Sequence, residues 1–197
     1  MPRSPSANDA IRLATRQRLL DAAMRCFASR GFAGTSIRDI AQTAGVATGL
    51  LYSHFDSKDT LLLSVFAQNM QQVQSTFAEA LSVPPGGQPV ATLIRAAVRT
   101  VRAHLPFWQL SYALRHQPEV LGALGSALTA WQQDIVQHLQ RILADQATET
   151  EALALFAQID GLCQHFAANP SSYPVDDVAE AVIAQWTSVW ANPRNAS

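Results

Sequence analysis

The stretch from Thr35 to Lys58, TSIRDIAQTAGVATGLLYSHFDSK, constrains the fold more tightly than any other part of the chain. Ile37, Ile40 and Ala41 recur at helical spacing, which gives a first short helix one apolar face. Gly45 interrupts it with a residue able to take the positive φ of a sharp interhelical turn. Val46–Tyr52 then predicts a second helix, too short to persist unless packed against something else. Two short helices joined by a glycine turn are the layout of a helix-turn-helix DNA reader.

The residue types in the stretch suit that chemistry. Thr48, Gly49 and Leu50 open the second helix, where small or unbranched side chains let the backbone approach base edges. Leu50 is placed to pack on a thymine methyl and Thr48 to reach a base edge. Leu51 and Phe55 are expected to face inward. Tyr52, His54 and Lys58 follow with hydroxyl, imidazole and ammonium groups suited to phosphate oxygens. Lys58 is the only lysine. It falls in the first turn of the next helix, where a cation opposes the helix dipole. Thr35 or Ser36 caps the first short helix, with Asp39 three residues after Ser36 as in a capping box.

Phe27, Gly31, Thr35, Ile40, Ala41, Gly45, Val46, Gly49, Leu51, Tyr52, His54, Phe55, Ser57, Lys58 and Leu61 together give a run that resembles the TetR family of bacterial transcription regulators. The resemblance covers roughly the first third of the chain. Beyond that it implies architecture only. It implies a phosphate contact from the Thr35 hydroxyl and a guanine or phosphate contact from Arg38. The candidate DNA-binding set is therefore Thr35, Ser36, Arg38, Thr48, Gly49, Leu50, Tyr52, His54 and Lys58.

The remainder reads as helix throughout. Residues 1–9 are polar with two prolines and are expected to be a disordered arm. A helix over 10–30, with Leu20, Ala23, Met24 and Phe27 as its buried stripe, supplies the back wall for the short pair. A long helix from Lys58 to Leu81, capped by Asp56 or Ser57, joins head to body over ~35 Å. VPPGGQP at 83–89 reads as a loop. Helices follow over 90–104, 106–116 and 118–145, then a last pair over 150–168 and 175–191. The expected organisation is a disordered arm at 1–9, a DNA-binding domain at 10–57, a sensing and dimerisation domain at 58–191 and a disordered tail at 192–197. The fold class is all-α: an N-terminal three-helix helix-turn-helix domain and a C-terminal helical ligand-binding and dimerisation domain.

The resemblance implies that the last pair forms a four-helix bundle with the same pair of a second subunit. Leu153, Phe156, Ala157, Asp160, Gly161, Gln164, Val178, Val182, Ile183, Trp186 and Trp190 are the candidate dimer face. Without the resemblance, that apolar pair is equally consistent with a monomer core. The resemblance also implies a small organic effector. Phe66, Met70, Phe107, Trp108, Tyr112 and Trp131 are the candidate pocket lining, since aromatics with a few polar tips suit a mostly apolar ligand.

Composition bounds the alternatives. The chain is 48% hydrophobic and 15% charged, enough apolar material for a core and too little charge for disorder. Residues 1–60 hold eight Arg and Lys against five Asp and Glu, whereas residues 61–197 hold six against ten. A basic head on an acidic body suits nucleic-acid contact through the head. No apolar run approaches the ~20 residues of a membrane span, so a cytoplasmic, non-membrane protein is expected. Cys26 and Cys163 lie far apart, with no CxxC pattern to suggest a structural metal. No nucleophile elbow, phosphate loop or HExxH is present. The expectation is a regulator without cofactor, metal or catalysis. A helical enzyme or a protein-interaction adaptor is the competing reading.

Overall fold

The computed structural model describes residues 5–84, 87–115, 117–143 and 147–190, with the side chains of 5–7, 69, 189 and 190 left aside. Among them run nine helices: α1 (Pro5–Arg30), α2 (Ile37–Ala44), α3 (Thr48–Tyr52), α4 (Lys58–Leu81), α5 (Pro89–Ala103), α6 (Leu105–Leu114), α7 (Pro118–Leu143), α8 (Glu149–Ala168) and α9 (Val175–Trp190). The all-α class is as expected.

Three boundaries differ from the sequence reading. Helix α1 begins at Pro5, inside the expected arm; a proline at the first helical position gives up no hydrogen bond, because that N–H has no intrahelical partner. Helix α3 begins at Thr48 rather than Val46, because Ala47 is extended (φ −67°, ψ 143°). Helix α7 is broken at Gly125, whose φ of 29° and ψ of −112° lie outside the helical region. Residues 1–4 of the expected arm and 192–197 of the expected tail lie outside the described residues.

The chain divides into two compact units, residues 1–68 with 110–127 and residues 69–109 with 128–197. The dividing point in α4 thus falls after Gln68, beyond the 57/58 boundary expected from the sequence. The core of the first unit includes Leu19, Phe27, Ile40, Leu51, Phe55, Leu61 and Leu62, each at most 2% exposed. Phe27 and Phe32 meet at 5.3 Å between ring centroids. The apolar spacing of α1 and the first turns of α4 produces this core directly.

In the second unit α5 buries Ala91, Leu93, Ile94, Ala96, Val98 and Val101. Its opposite side carries arginines that pin its neighbours. Arg95 Nε and Nη2 each donate to Glu180 of α9 at 2.8 Å, and Arg102 Nη2 donates to Asp176 at 2.9 and 3.0 Å. Arg99 Nη2 donates to Glu79 of α4 at 2.6 and 2.8 Å. All six side chains are about half exposed or more, so solvent screens each pair and leaves it little weight in stability.

Candidate nucleic-acid interface

The turn between α2 and α3 is built by a few residues with distinct tasks. Ser36 is the N-cap of α2: its Oγ accepts from Asp39 N at 3.1 Å while Asp39 Oδ2 accepts from Ser36 N at 2.9 Å, the reciprocal capping box. The Ser36 hydrogen bonds hold the Asp39 carboxyl below its usual range, reinforced by Arg30, which reaches it at 2.9 Å and ties α2 to the end of α1. Gly45 closes α2 in the left-handed region (φ 67°, ψ 38°), with its N–H on Gln42 O at 3.1 Å and Val46 N–H on Ala41 O at 3.0 Å. Those bonds satisfy carbonyls that the helix end would leave open.

Helix α3 is anchored from below. Leu51 is fully buried and Phe55 nearly so, while Leu50 is 43% and Tyr52 53% exposed. Gly49 and Arg38 are exposed, and Thr48 is half-buried. A Cβ built on Gly49 would meet nothing within 4 Å, so this side of α3 is open space. Arg38, Gly49, Leu50 and Tyr52 are thus exposed on the α2–α3 pair, with Thr48 half-buried beside them. His54 is half-buried behind the end of α3, its N–H on Leu51 O at 2.9 Å.

Two of the candidates have different tasks. The Thr35 side chain is turned inward and only 2% exposed; its hydroxyl lies 2.8 Å from Gly31 O and 3.1 Å from Cys26 O. A hydroxyl so enclosed cannot also reach a phosphate or cap α2, so the cap is Ser36 alone. Lys58 donates from Nζ to Phe32 O at 2.8 Å and to Thr35 O at 3.0 Å, and lies 4.3 Å from the centroid of the Phe32 ring. Two of the three donors of its ammonium thus knit the loop after α1 to the start of α4. Ser57 caps α4, its Oγ accepting from Thr60 N at 3.0 Å.

The candidate dimer face is mostly available. Leu153, Phe156, Asp160, Gly161, Gln164, Val178 and Val182 are partly exposed and Ala157 is exposed. A Cβ on Gly161 would meet nothing within 4 Å. Ile183 and Trp186 are corrections: at 6% and 8% exposed they belong to the subunit's own core, and Trp186 Nε1 donates to Gln158 Oε1. The Trp190 side chain lies outside the described residues.

The candidate pocket residues divide between the units. Phe66 and Tyr112 are buried in the first, Tyr112 with the Arg115 guanidinium 4.7 Å from its ring centroid. Phe107 and Trp108 are buried in the second, edge-on at 5.4 Å, and Met70 and Trp131 are partly exposed there. Gln72 Oε1, also in the second unit, is buried without a hydrogen-bond partner among the described residues. A surface cleft of about 510 Å³ lies elsewhere in that unit, lined by Arg102, Leu105, Phe166, Tyr173 and Asp176 among others. Among the described residues no group of three His, Cys, Asp or Glu side chains converges to hold a metal. No described helix is long and apolar enough to cross a membrane.

Comparison with known proteins places this geometry. Residues 19–65 match the family model for bacterial regulatory proteins, tetR family. The HTH-type transcriptional regulator AcrR of Shigella flexneri is 24% identical over 186 residues, covering 86% of each chain. A crystal structure described as a tetR family transcription regulator from Shewanella sp. PV-4 superposes with a TM-score of 0.68 at 26% identity, over 89% of this chain and 97% of that one. FadR of Bacillus subtilis in complex with stearoyl-CoA shares the fold, with a TM-score of 0.71 at 18% identity over 87% and 97% of the two chains.

Proposed function

Because this chain is a TetR family transcription regulator, a DNA-binding protein and not an enzyme, we propose that it is an effector-responsive repressor that reads a palindromic operator as a homodimer. The observation that carries the reading is α3, with Leu50 and Tyr52 exposed beside the open surface at Gly49 while Leu51 and Phe55 fix the helix from beneath. Arg38, Thr48 and Leu50 address base edges; Ser36, Tyr52 and His54 address the backbone. One helix of five residues covers only a few base pairs, so two copies related by a dyad, about one helical turn of DNA apart, supply the specificity. The partly exposed face of α8 and α9 is the proposed dimer contact.

The effector is a small, mostly apolar molecule with at least one hydrogen-bond donor, which meets Gln72 Oε1. Of the candidate lining, Met70, Phe107, Trp108 and Trp131 share the second unit with Gln72 and remain the proposed lining. The likeness to a FadR that holds stearoyl-CoA supports an effector with a long apolar part. It acts only through its differential affinity for DNA-competent and DNA-incompetent forms.

Fluorescence anisotropy with the DNA upstream of the protein's own gene, against scrambled DNA, tests the reading. Specific binding at two subunits per site, released by an added effector, is the expected result. Equal weak binding to both DNAs would sink the claim that this site is the operator. No binding at any salt concentration would sink the DNA reading itself.

A further inference from the structure

Two arginines of α1 bear electrostatically on His54, just past the end of α3. Arg12 and Arg16 lie one turn apart on α1. The Arg16 guanidinium sits 5.1 Å from the centroid of the Phe55 ring, and its Nη2 donates to Ser64 Oγ of α4 at 3.1 Å. His54, next to Phe55 in sequence, has its ring 6.4 Å from that of Phe55 and is half-buried. Neither arginine pairs with a carboxylate among the described residues, unlike Arg30, Arg95, Arg99 and Arg102. The charges that act on the His54 ring are those of Arg12 and Arg16. Tyr52 and Asp56 are its titratable chain neighbours, and on α4 the Lys58 ammonium is held by the Phe32 and Thr35 carbonyls.

We propose that Arg12, Arg16 and His54 form one phosphate-binding notch, and that His54 takes up a proton from solvent when a DNA phosphate docks there. This rests on the DNA-binding reading, in which His54 already addresses the backbone, and adds to it the two arginines of α1 and a proton taken up with the contact. In the free protein, burial first and the two arginines second hold the His54 pKa below its ordinary value, so the ring is neutral near pH 7. A docked phosphate offsets the field of the arginines, and an opposite charge within ~4–6 Å favours the imidazolium. By reciprocity, a proton that DNA helps to bind is a proton that helps bind DNA.

The test uses the full chain and a duplex of arbitrary sequence at low salt, since backbone contacts do not depend on sequence. Calorimetric titration in two buffers of different ionisation enthalpy counts the protons taken up. Net uptake on binding is expected, with affinity rising as pH falls from 8 to 6 by up to about tenfold per unit for each histidine. His54→Gln should bind without that pH-dependent part while keeping its circular dichroism. Arg12→Gln should flatten the dependence of log affinity on log salt by about one. Binding with no proton uptake, or an unchanged pH profile in His54→Gln, would overturn the notch alone. Failure of the wild-type chain to bind any duplex at any pH would overturn the DNA reading with it.

Discussion

Lys58 holds Phe32 at two points: its Nζ donates to the Phe32 carbonyl oxygen at 2.8 Å and lies 4.3 Å from the centroid of the Phe32 ring. A second donor of the same ammonium reaches Thr35 O at 3.0 Å. One cation therefore fixes the loop that delivers the chain from α1 into α2, and so the placement of the whole turn.

That arrangement separates Lys58 from Arg38. Lys58→Met leaves partly buried carbonyls open and loses the ring contact, so it should cost about 1–3 kcal/mol of stability. Its effect on the salt dependence of DNA binding should be small. Arg38 is exposed and makes no ion pair among the described residues, so Arg38→Gln should leave stability within about 0.5 kcal/mol yet weaken DNA binding. If Arg38 touches a phosphate, its loss flattens the salt slope by about one. Urea unfolding and anisotropy over a salt series measure both. A large loss of salt slope in Lys58→Met with unchanged stability would reverse the assignment.

Gly49 isolates the interface from the fold. Because a Cβ there meets only open space, Gly49→Ala should be neutral or stabilising by up to about 1 kcal/mol through helix propensity. Gly49→Phe should keep the same helical content but lose DNA affinity at least tenfold, since a bulky ring would stand where the backbone must approach the groove. Wild-type affinity in Gly49→Phe would show that α3 does not face DNA through this side.

How much of this was legible follows from where each residue's role is decided. The α2–α3 turn was readable because Gly45, the Ser36–Asp39 box and the apolar spacing are local signals. Leu51 and Phe55 were readable as core from the same spacing. Thr35 was misread because its partners, Cys26 and Gly31, are supplied by tertiary packing, which also gives Lys58 its unforeseen contacts with Phe32. The same holds for Ile183 and Trp186: a helix stripe shows that a face is apolar, not whether its own chain or a second copy covers it. The break at Gly125 was hidden because an isolated glycine in a helical pattern is usually tolerated. The arginine–histidine group beside Phe55 was missed because Arg12 and Arg16 lie far from His54 in sequence.

Gly161 tests the dimer. It sits on α8 among partly exposed side chains, with room for a Cβ. Gly161→Trp should leave helical content and the unfolding transition of the subunit intact while preventing close approach of a second α8. Light scattering should then report monomers where the wild type gives dimers, and specific DNA affinity should fall because two half-sites are no longer read together. A dimeric Gly161→Trp would move the contact to another face.

Gln72 tests the effector. An enclosed amide oxygen with no partner costs roughly 1–3 kcal/mol, so Gln72→Leu should raise the unfolding midpoint while weakening release from DNA by the effector. A destabilised variant, or one that responds to effector as the wild type does, would show that Gln72 is satisfied by some other route.

Cys163 ties stability to alkaline pH. Its side chain is 4% exposed, and burial first, with the Asp160 carboxylate second, pushes the thiol up to about 12 from an ordinary 9.0. Below pH 9 the thiol is protonated in both folded and unfolded chains, so it confers no pH dependence there. Above pH 9 the unfolded chain releases its proton and the folded chain does not. The folded state is then penalised by up to about 1.4 kcal/mol per pH unit until the folded thiol itself titrates. Urea unfolding at pH 8, 9 and 10 should therefore show the stability advantage of wild type over Cys163→Ala shrinking as pH rises. Because the reactive species is the thiolate, native protein at pH 8 should also resist iodoacetamide until urea exposes the thiol. Rapid labelling of Cys163 in the native chain would mean that α8 opens far more readily than its packing allows.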